Sequence, residues 1–393
     1  MGRLGTLEAM PPKKHLLTPG PTPVPPEVLA ATSAPMIHHR APDFRVLLER
    51  TVGRLQQVFC TTNDVLLFTA SGTGAFEAAV ANLVSPGDKV LAVSHGEFGE
   101  RWAKLAAVYG ADVTSLSFAW GEVPRADDLA RALAEKSADV VFLVHSETST
   151  GVVADIEALA AVAKAAGALV VVDAVSSLGA VPLEADAWGL DVVVSGSQKA
   201  LMSPPGLAFA TVSAAAWRRC EQATSPRFYF DWRRYRKSYE SLGTPFTPAV
   251  ATVAGLDVAL GMILDAGLDT AFARHAALGR ACREGAKAMG LELFSPDDER
   301  SAVVTAIFTP DGANAKDLVL ALRDQFGITV AGGHGDMATR LFRIGHIGWF
   351  DVFDITTALA AVEVILADMG APITLGVAVS RALEAYAEAV AVQ

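Results

Sequence analysis

The sequence predicts an α/β protein, with a large domain on a mostly parallel seven-stranded sheet covered by helices and a smaller α+β domain after it. Three observations carry this expectation. From residue 65 to about 209, short β-branched runs alternate with stretches whose apolar positions recur at helical spacing, the rhythm of parallel strands joined by helical crossovers. Turn-forming groups such as Ser85-Pro86-Gly87-Asp88 and Ala165-Ala166-Gly167 separate these runs. At 393 residues the chain also exceeds what one hydrophobic core usually covers.

In order, the predicted strands are 65–69, 89–93, 112–117, 140–145, 169–173, 192–195 and 207–212, and the helices between them are 75–84, 98–109, 126–135 and 156–166. The opening Leu17-Thr18-Pro19-Gly20-Pro21-Thr22-Pro23-Val24-Pro25-Pro26 cannot form a central strand or a helix interior, because proline lacks the amide proton. Residues 1–22 are therefore expected to be an extended arm on the surface or on a partner. After about Gly267 the texture changes to longer helices around a few strands, including 301–309 and 341–344. The expected division is an arm (1–22), a large domain (23–266) and a small domain (267–393).

Composition narrows the function classes. The net charge of −11, with no long basic block, disfavours a polyanionic partner such as nucleic acid. The one basic cluster, Arg233-Arg234-Tyr235-Arg236-Lys237, reads as a solvated helix face or an intersubunit contact. Apolar residues make up 51% of the chain, but aspartates interrupt the richest stretches, 168–181 and 250–268, before they reach the ~18 apolar residues of a membrane span. Cys60, Cys220 and Cys282 lie far apart without metal-ligand spacing, as expected of reduced thiols in a cytoplasmic protein with no structural metal. Met1-Gly2-Arg3-Leu4-Gly5-Thr6 formally fits a myristoylation pattern but reads as a plain leader, and no charged segment followed by an apolar one signals export.

The polar residues with chemical potential fall just beyond the carboxyl ends of predicted strands, where open α/β sheets bind ligands. Lys199 follows the apolar run Val192-Val193-Val194 and a short polar turn, and precedes a segment that looks buried. A buried ammonium needs a carboxylate or conversion to an imine, which suits a Schiff-base lysine; the alternative is a surface lysine past a strand. Asp173 ends Leu169-Val170-Val171-Val172 and either caps the following Ser176-Ser177 turn or pairs with a protonated ring nitrogen. Together the two residues point to pyridoxal 5′-phosphate. Ser71-Gly72-Thr73-Gly74, between a strand and a helix, could receive a phosphate or be an ordinary turn and cap. Arg343 lies in the strand-like run Leu341-Phe342-Arg343-Ile344, where a structural ion pair is the alternative to an anion grip.

Taken in order, Thr18-Pro19-Gly20-Pro21, Ser71-Gly72-Thr73, Asp173-Ala174-Val175-Ser176-Ser177 and Ser195-Gly196-Ser197-Gln198-Lys199-Ala200-Leu201 resemble the class V aminotransferases of PLP fold type I, in particular the alanine-glyoxylate and serine-pyruvate branch. The resemblance runs from about Leu16 to Leu366. It implies that Lys199 forms the internal aldimine, that Asp173 pairs with the pyridine nitrogen, and that Ser71, Gly72, Thr73 and Gln198 contact the phosphate. Thr148 matches the position whose hydroxyl approaches the phenolic oxygen. Phe98 matches the stacking aromatic, often tryptophan in the family. Thr244 and Thr247, in Gly243-Thr244-Pro245-Phe246-Thr247-Pro248, match the stretch that reaches a neighbouring subunit's phosphate, although the family often has tyrosine at the first position. That match implies a homodimer with shared sites. Arg343 matches the Arg-Ile-Gly motif that grips the substrate α-carboxylate, with Arg340 its nearest rival; His38, His39 and Arg40 receive no catalytic role.

The function expected from this resemblance is transfer of an amino group from a small L-amino acid, alanine or serine, to glyoxylate or pyruvate by a ping-pong exchange through pyridoxamine phosphate. Aspartate, phosphoserine or an aminophosphonate as donor, a lyase or desulfurase on the same fold, and a non-catalytic hydrogenase-associated subunit are the alternatives. A nicotinamide enzyme would need a Gly-x-Gly-x-x-Gly turn after the first strand, which Ser71-Gly72-Thr73-Gly74-Ala75-Phe76-Glu77 does not supply.

Overall fold

The computed structural model describes residues 13–294, 297 and 301–391. The expectations for the leader and the first part of the arm, residues 1–12, lie outside the described residues. The chain forms two compact units. One comprises Val24–Glu147 and Val153–Ala271, and the other gathers the segment through Pro23, Thr148–Val152 and Phe272–Gln393.

The first unit is built on a seven-stranded sheet of β1 (Asp64–Thr69), β2 (Lys89–Ser94), β3 (Asp112–Ser117), β4 (Val140–Val144), β5 (Leu169–Asp173), β6 (Val192–Gly196) and β7 (Leu207–Val212). Their order across the sheet is β1-β7-β6-β5-β4-β2-β3, with β7 antiparallel to both neighbours and the other pairs parallel. Because β7 runs against β1 and β6, those two are parallel to each other, and the carboxyl ends of β1, β2, β4, β5 and β6 share one edge. The pleat sorts side chains strictly: Val65 and Leu67 enter the core on one face, while Leu66 and Phe68 enter the core on the other. Both faces are covered, which is why these strands read as continuous apolar runs.

Helices α1 (Pro42–Val58), α2 (Gly72–Leu83), α3 (Glu97–Val108), α4 (Ala126–Glu135), α5 (Ile156–Ala165), α6 (Trp232–Tyr239) and α7 (Val250–Ala266) belong to this unit. The indole of Trp102 on α3 is stacked between Phe76 of α2 (4.0 Å) and Phe142 of β4 (4.4 Å), fixing both helices to one sheet face. The apolar helix α7 carries Asp257, which Arg50 and Arg54 of α1 bind at 2.6 and 2.8 Å. No single described helix is long and apolar enough to cross a membrane. The basic cluster lies on α6, where Tyr235 is buried and the charges turn outward: Arg233 pairs with Asp231, Arg236 with Asp64, and Arg234 stacks over Phe228.

Helix α2 begins at Gly72, three residues before the expected start. The Ser-Gly-Thr-Gly stretch read as a loop is therefore the first turn of the helix. Its glycines are required by close packing: a Cβ on Gly72 would lie 2.9 Å from the Val175 side chain, and one on Gly74 would lie 2.6 Å from Ala70 Cβ.

In the second unit, β8 (Val304–Phe308), β9 (Ala331–Gly332) and β10 (Leu341–Gly345) form an antiparallel sheet in the order β8-β10-β9. It packs with α8 (Leu268–Ala288), α9 (Ala315–Phe326), α10 (Val352–Asp368) and α11 (Val377–Ala391) through residues such as Leu278, Ile307, Leu322, Phe342 and Leu359. The described part of the arm is not merely draped on a surface. His15–Leu16 pairs parallel with Ile328–Thr329, Leu17 is 1% exposed, and the Gly345 amide donates to the Leu17 carbonyl (2.9 Å). A Cβ on Gly345 would fall 2.5 Å from the Thr18 carbonyl carbon, so the arm passes where only glycine leaves room.

Candidate active site

Four segments of the first unit meet at the shared carboxyl edge of the sheet. The loop after β6 carries Lys199 and is tied down from within: Ser197 donates through its hydroxyl to the Pro204 carbonyl (2.6 Å) and through its amide to the Leu207 carbonyl (3.0 Å). Met202 donates to the Lys199 carbonyl (3.0 Å) and takes a left-handed conformation (φ 53°) to close that turn. The lysine side chain is half-buried rather than on the surface. One strand over, Asp173 ends β5, pairs in register with Val194 of β6, and is 4% exposed.

The Asp173 carboxylate accepts from the Val175 amide (2.8 Å), a short-range turn of the kind expected of a capping aspartate. That contact does not offset its surroundings. Burial raises its pKa to about 7, the nearby Glu147 carboxylate adds to the rise, and the Val175 amide, Lys199 and Arg101 only partly oppose it. An acid so placed holds its negative charge at neutral pH once a cation sits beside it, which is what a protonated ring nitrogen provides.

The third segment is the start of α2. Ser71 takes the N-cap position with extended backbone, its hydroxyl makes no cap hydrogen bond, and both Ser71 and Thr73 are exposed. The loop of Lys199 comes against it: a Cβ placed on Gly196 would sit 3.0 Å from Gln198 Oε1 and 3.6 Å from the Gly72 amide nitrogen. That Gln198 atom is buried and lacks a hydrogen-bond partner. An amide can turn over to present its NH2 group, so a side chain with a buried polar end lies by a helix N-terminus that carries two exposed hydroxyls, where an anion is favoured. These features fit the phosphate of pyridoxal phosphate.

The fourth segment is the start of α3. Phe98 is half-buried, and the amides of Phe98 and Gly99 donate to Glu147 Oε2 (2.9 and 3.1 Å), so a fully buried carboxylate caps this helix. Arg101 lies one helical turn on, its guanidinium 4.6 Å from the centroid of the Phe98 ring and its Nη1 donating to Thr73 Oγ1 (3.1 Å). Sequence reasoning missed both Glu147 and Arg101. The signals were Glu147 three residues past the apolar strand β4 and Arg101 three residues after a candidate stacking aromatic. His95, at the end of β2, is buried with neither ring nitrogen paired, and burial lowers its pKa to about 4, which keeps the ring neutral.

The second unit holds two more of the predicted groups, Arg343 and Thr148. Arg343 on β10 is 6% exposed; its Nε donates to the Gly332 carbonyl (2.9 Å) and its Nη1 to the Thr148 carbonyl. Thr148 is thereby brought to Arg343, and its own side chain is buried. Thr244 and Thr247 are in the first unit. Thr244 donates its hydroxyl to the Phe246 carbonyl (2.8 Å), whereas Thr247 is exposed and lines a cleft of about 590 Å³ with Met36, Ile37, His38 and His39.

A lysine and a buried aspartate at the carboxyl edge of this sheet, beside a helix N-terminus shaped for phosphate, define a pyridoxal-phosphate enzyme. The family described as Aminotransferase class-V matches residues 15–344, and the chain belongs to it. It is 42% identical over 91% of its length to the soluble hydrogenase small subunit of a Synechococcus strain, covering 94% of that protein. It is 39% identical over 96% of its length to L-aspartate–glyoxylate aminotransferase of Paracoccus denitrificans, covering 97% of that protein. Its fold superposes on the ureidoglycine-glyoxylate aminotransferase of Bacillus subtilis with a TM-score of 0.91 at 30% identity, over 97% of this chain and 100% of that one. The protein is a pyridoxal-phosphate-dependent transaminase.

Proposed function

We propose that the enzyme transfers the amino group of a small L-amino acid, alanine or serine, to glyoxylate or pyruvate in a ping-pong exchange. The observation that carries the α-amino acid part of this reading is Arg343. Two backbone carbonyls hold its guanidinium in a buried position, and a planar, permanently charged group is suited to a carboxylate. Glyoxylate as acceptor is supported by the names of the Paracoccus and Bacillus relatives, which share it while their amino donors differ. The Paracoccus relative favours aspartate as a second reading of the donor.

Pyridoxal phosphate, when bound, supplies a carbonyl carbon that condenses with amines and a ring that withdraws electrons from the Cα–H bond. In this reading, the residues of the chain hold it and move the proton. Ser71, Gly72, Thr73 and Gln198 hold the phosphate, Phe98 stacks on the ring and keeps water from one face, and Thr148 donates its hydroxyl to the phenolic oxygen. Asp173 keeps the proton on the ring nitrogen. Lys199 Nζ would accept the proton from substrate Cα and pass it to the cofactor carbon that condensed with the amine rather than back to Cα. Thr247 is the better candidate to reach a second copy, because Thr244 already spends its hydroxyl on its own chain. The cleft beside Thr247 is the surface on which that copy would sit.

The donor is tested by adding L-alanine, L-serine, L-aspartate and phosphoserine separately to the holoenzyme and following its visible absorption. Alanine or serine should convert the band fastest, with parallel double-reciprocal lines when glyoxylate is varied. Faster conversion by aspartate selects the second reading, and no conversion by any donor removes the proposal. Arg343→Gln should raise the half-saturating donor concentration by about 10²-fold, because hydrogen bonds to a charged group are worth about 1.5–3 kcal/mol each. An unchanged value would transfer the carboxylate to Arg340.

A further inference from the structure

The guanidinium of Arg101 is joined to two parts of the cofactor site at once, lying over the Phe98 ring at 4.6 Å and donating to Thr73 Oγ1 at 3.1 Å. Among the described residues no carboxylate forms an ion pair with it, although its neighbours on α3 include Glu97 and Glu100, the latter paired with Lys104. A half-buried cation with no carboxylate at ion-pair distance, bonded to a residue at a helix N-terminus, points to an anion received from outside the chain.

We propose that Arg101 is a positioning residue for the cofactor, orienting the Thr73 hydroxyl toward the phosphate while fixing the ring plane of Phe98. Thr73 Oγ1 accepts from Arg101, so one lone pair is occupied and its own O–H proton remains available to another acceptor at the exposed start of α2. Phe98 is held from two sides, by cation–π contact with Arg101 and by the hydrogen bonds of its own and the next amide to Glu147. Arg101 also brings a full positive charge to a cradle otherwise made of amides and hydroxyls, where a phosphate dianion must be balanced. Its field reaches Asp173, whose ionised form it favours. One side chain thus sets the distance between the phosphate anchor and the stacking ring, the two features that fix where the cofactor ring lies.

The inference rests on the cofactor assignment, and the test separates the two. Wild-type, Arg101→Gln and Arg101→Lys apoproteins are titrated at equilibrium with pyridoxal 5′-phosphate and, separately, with pyridoxal, which lacks the phosphate, using tryptophan fluorescence. Arg101→Gln is expected to weaken binding of the phosphate form about tenfold, equivalent to about 1.4 kcal/mol, and that of pyridoxal less than about twofold. Arg101→Lys should recover part of the loss, keeping the charge without the planar fork. An unchanged affinity for the phosphate form, or an equal loss for both ligands, overturns the proposal. Should Arg101→Gln not fold, the ratio of the two affinities is read on Arg101→Lys, where a fall of about threefold supports the role and an unchanged ratio ends it. Failure of the wild-type apoprotein to bind pyridoxal phosphate would instead remove the cofactor assignment.

Discussion

Lys199→Ala is expected to lower turnover by at least about 10³-fold while leaving the fold intact. Two losses combine: a positioned proton carrier alone contributes about 10²–10⁴-fold, and without the amine the cofactor also loses its covalent anchor. The fold should survive because the segment 197–207 is held by the hydroxyl and amide of Ser197 and by the Lys199–Met202 turn, all of which bond through groups other than the lysine side chain. The variant should therefore show wild-type thermal unfolding and bind pyridoxal phosphate without the visible band of the wild type. Added methylamine should restore a small part of the activity, since it returns a proton acceptor to the space vacated by the side chain. Wild-type-like turnover in this variant would be incompatible with the role assigned to Lys199.

Much of this architecture was legible because two-sided burial leaves a strong trace in sequence. The run expected at 65–69 is observed as Asp64–Thr69 and that expected at 192–195 as Val192–Gly196, and Lys199 and Asp173 stand out as the charged residues beyond apolar strands. Strand order was not legible, since nothing within residues 207–212 reveals that β7 runs antiparallel between β1 and β6. The helix start at Gly72 was hidden because glycines suggest a loop, and only the packing against Val175 and Ala70 shows why a helix needs them there. Arg101 and Glu147 escaped for a different reason. Their partners, Thr73 and the Phe98 amide, lie 28 and 49 residues away in sequence, and no local period connects them.

Asp173→Asn should produce opposite effects on stability and on catalysis. In the apoprotein the carboxyl titrates near 7 against about 3.8 when unperturbed, so between those values the folded state binds more proton than the unfolded state. Stability must then fall as pH rises through this window, because the slope follows the difference in bound protons. The total is on the order of 4 kcal/mol at 1.36 kcal/mol per pH unit. Asparagine does not titrate, so relative to wild type the apo variant should gain stability from about pH 4 to about pH 7, seen as a difference in unfolding midpoints that widens with pH and then levels off. Bound cofactor should abolish this advantage, since a protonated ring nitrogen supplies the counter-charge that burial denies the aspartate. Catalysis should move the other way, with turnover reduced about 10²–10³-fold, since leaving a buried charge without its partner costs about 3–5 kcal/mol. An apo variant with the same pH dependence as wild type would mean that the buried carboxyl is not the group titrating near neutrality, and would leave the site without its built-in demand for a cation.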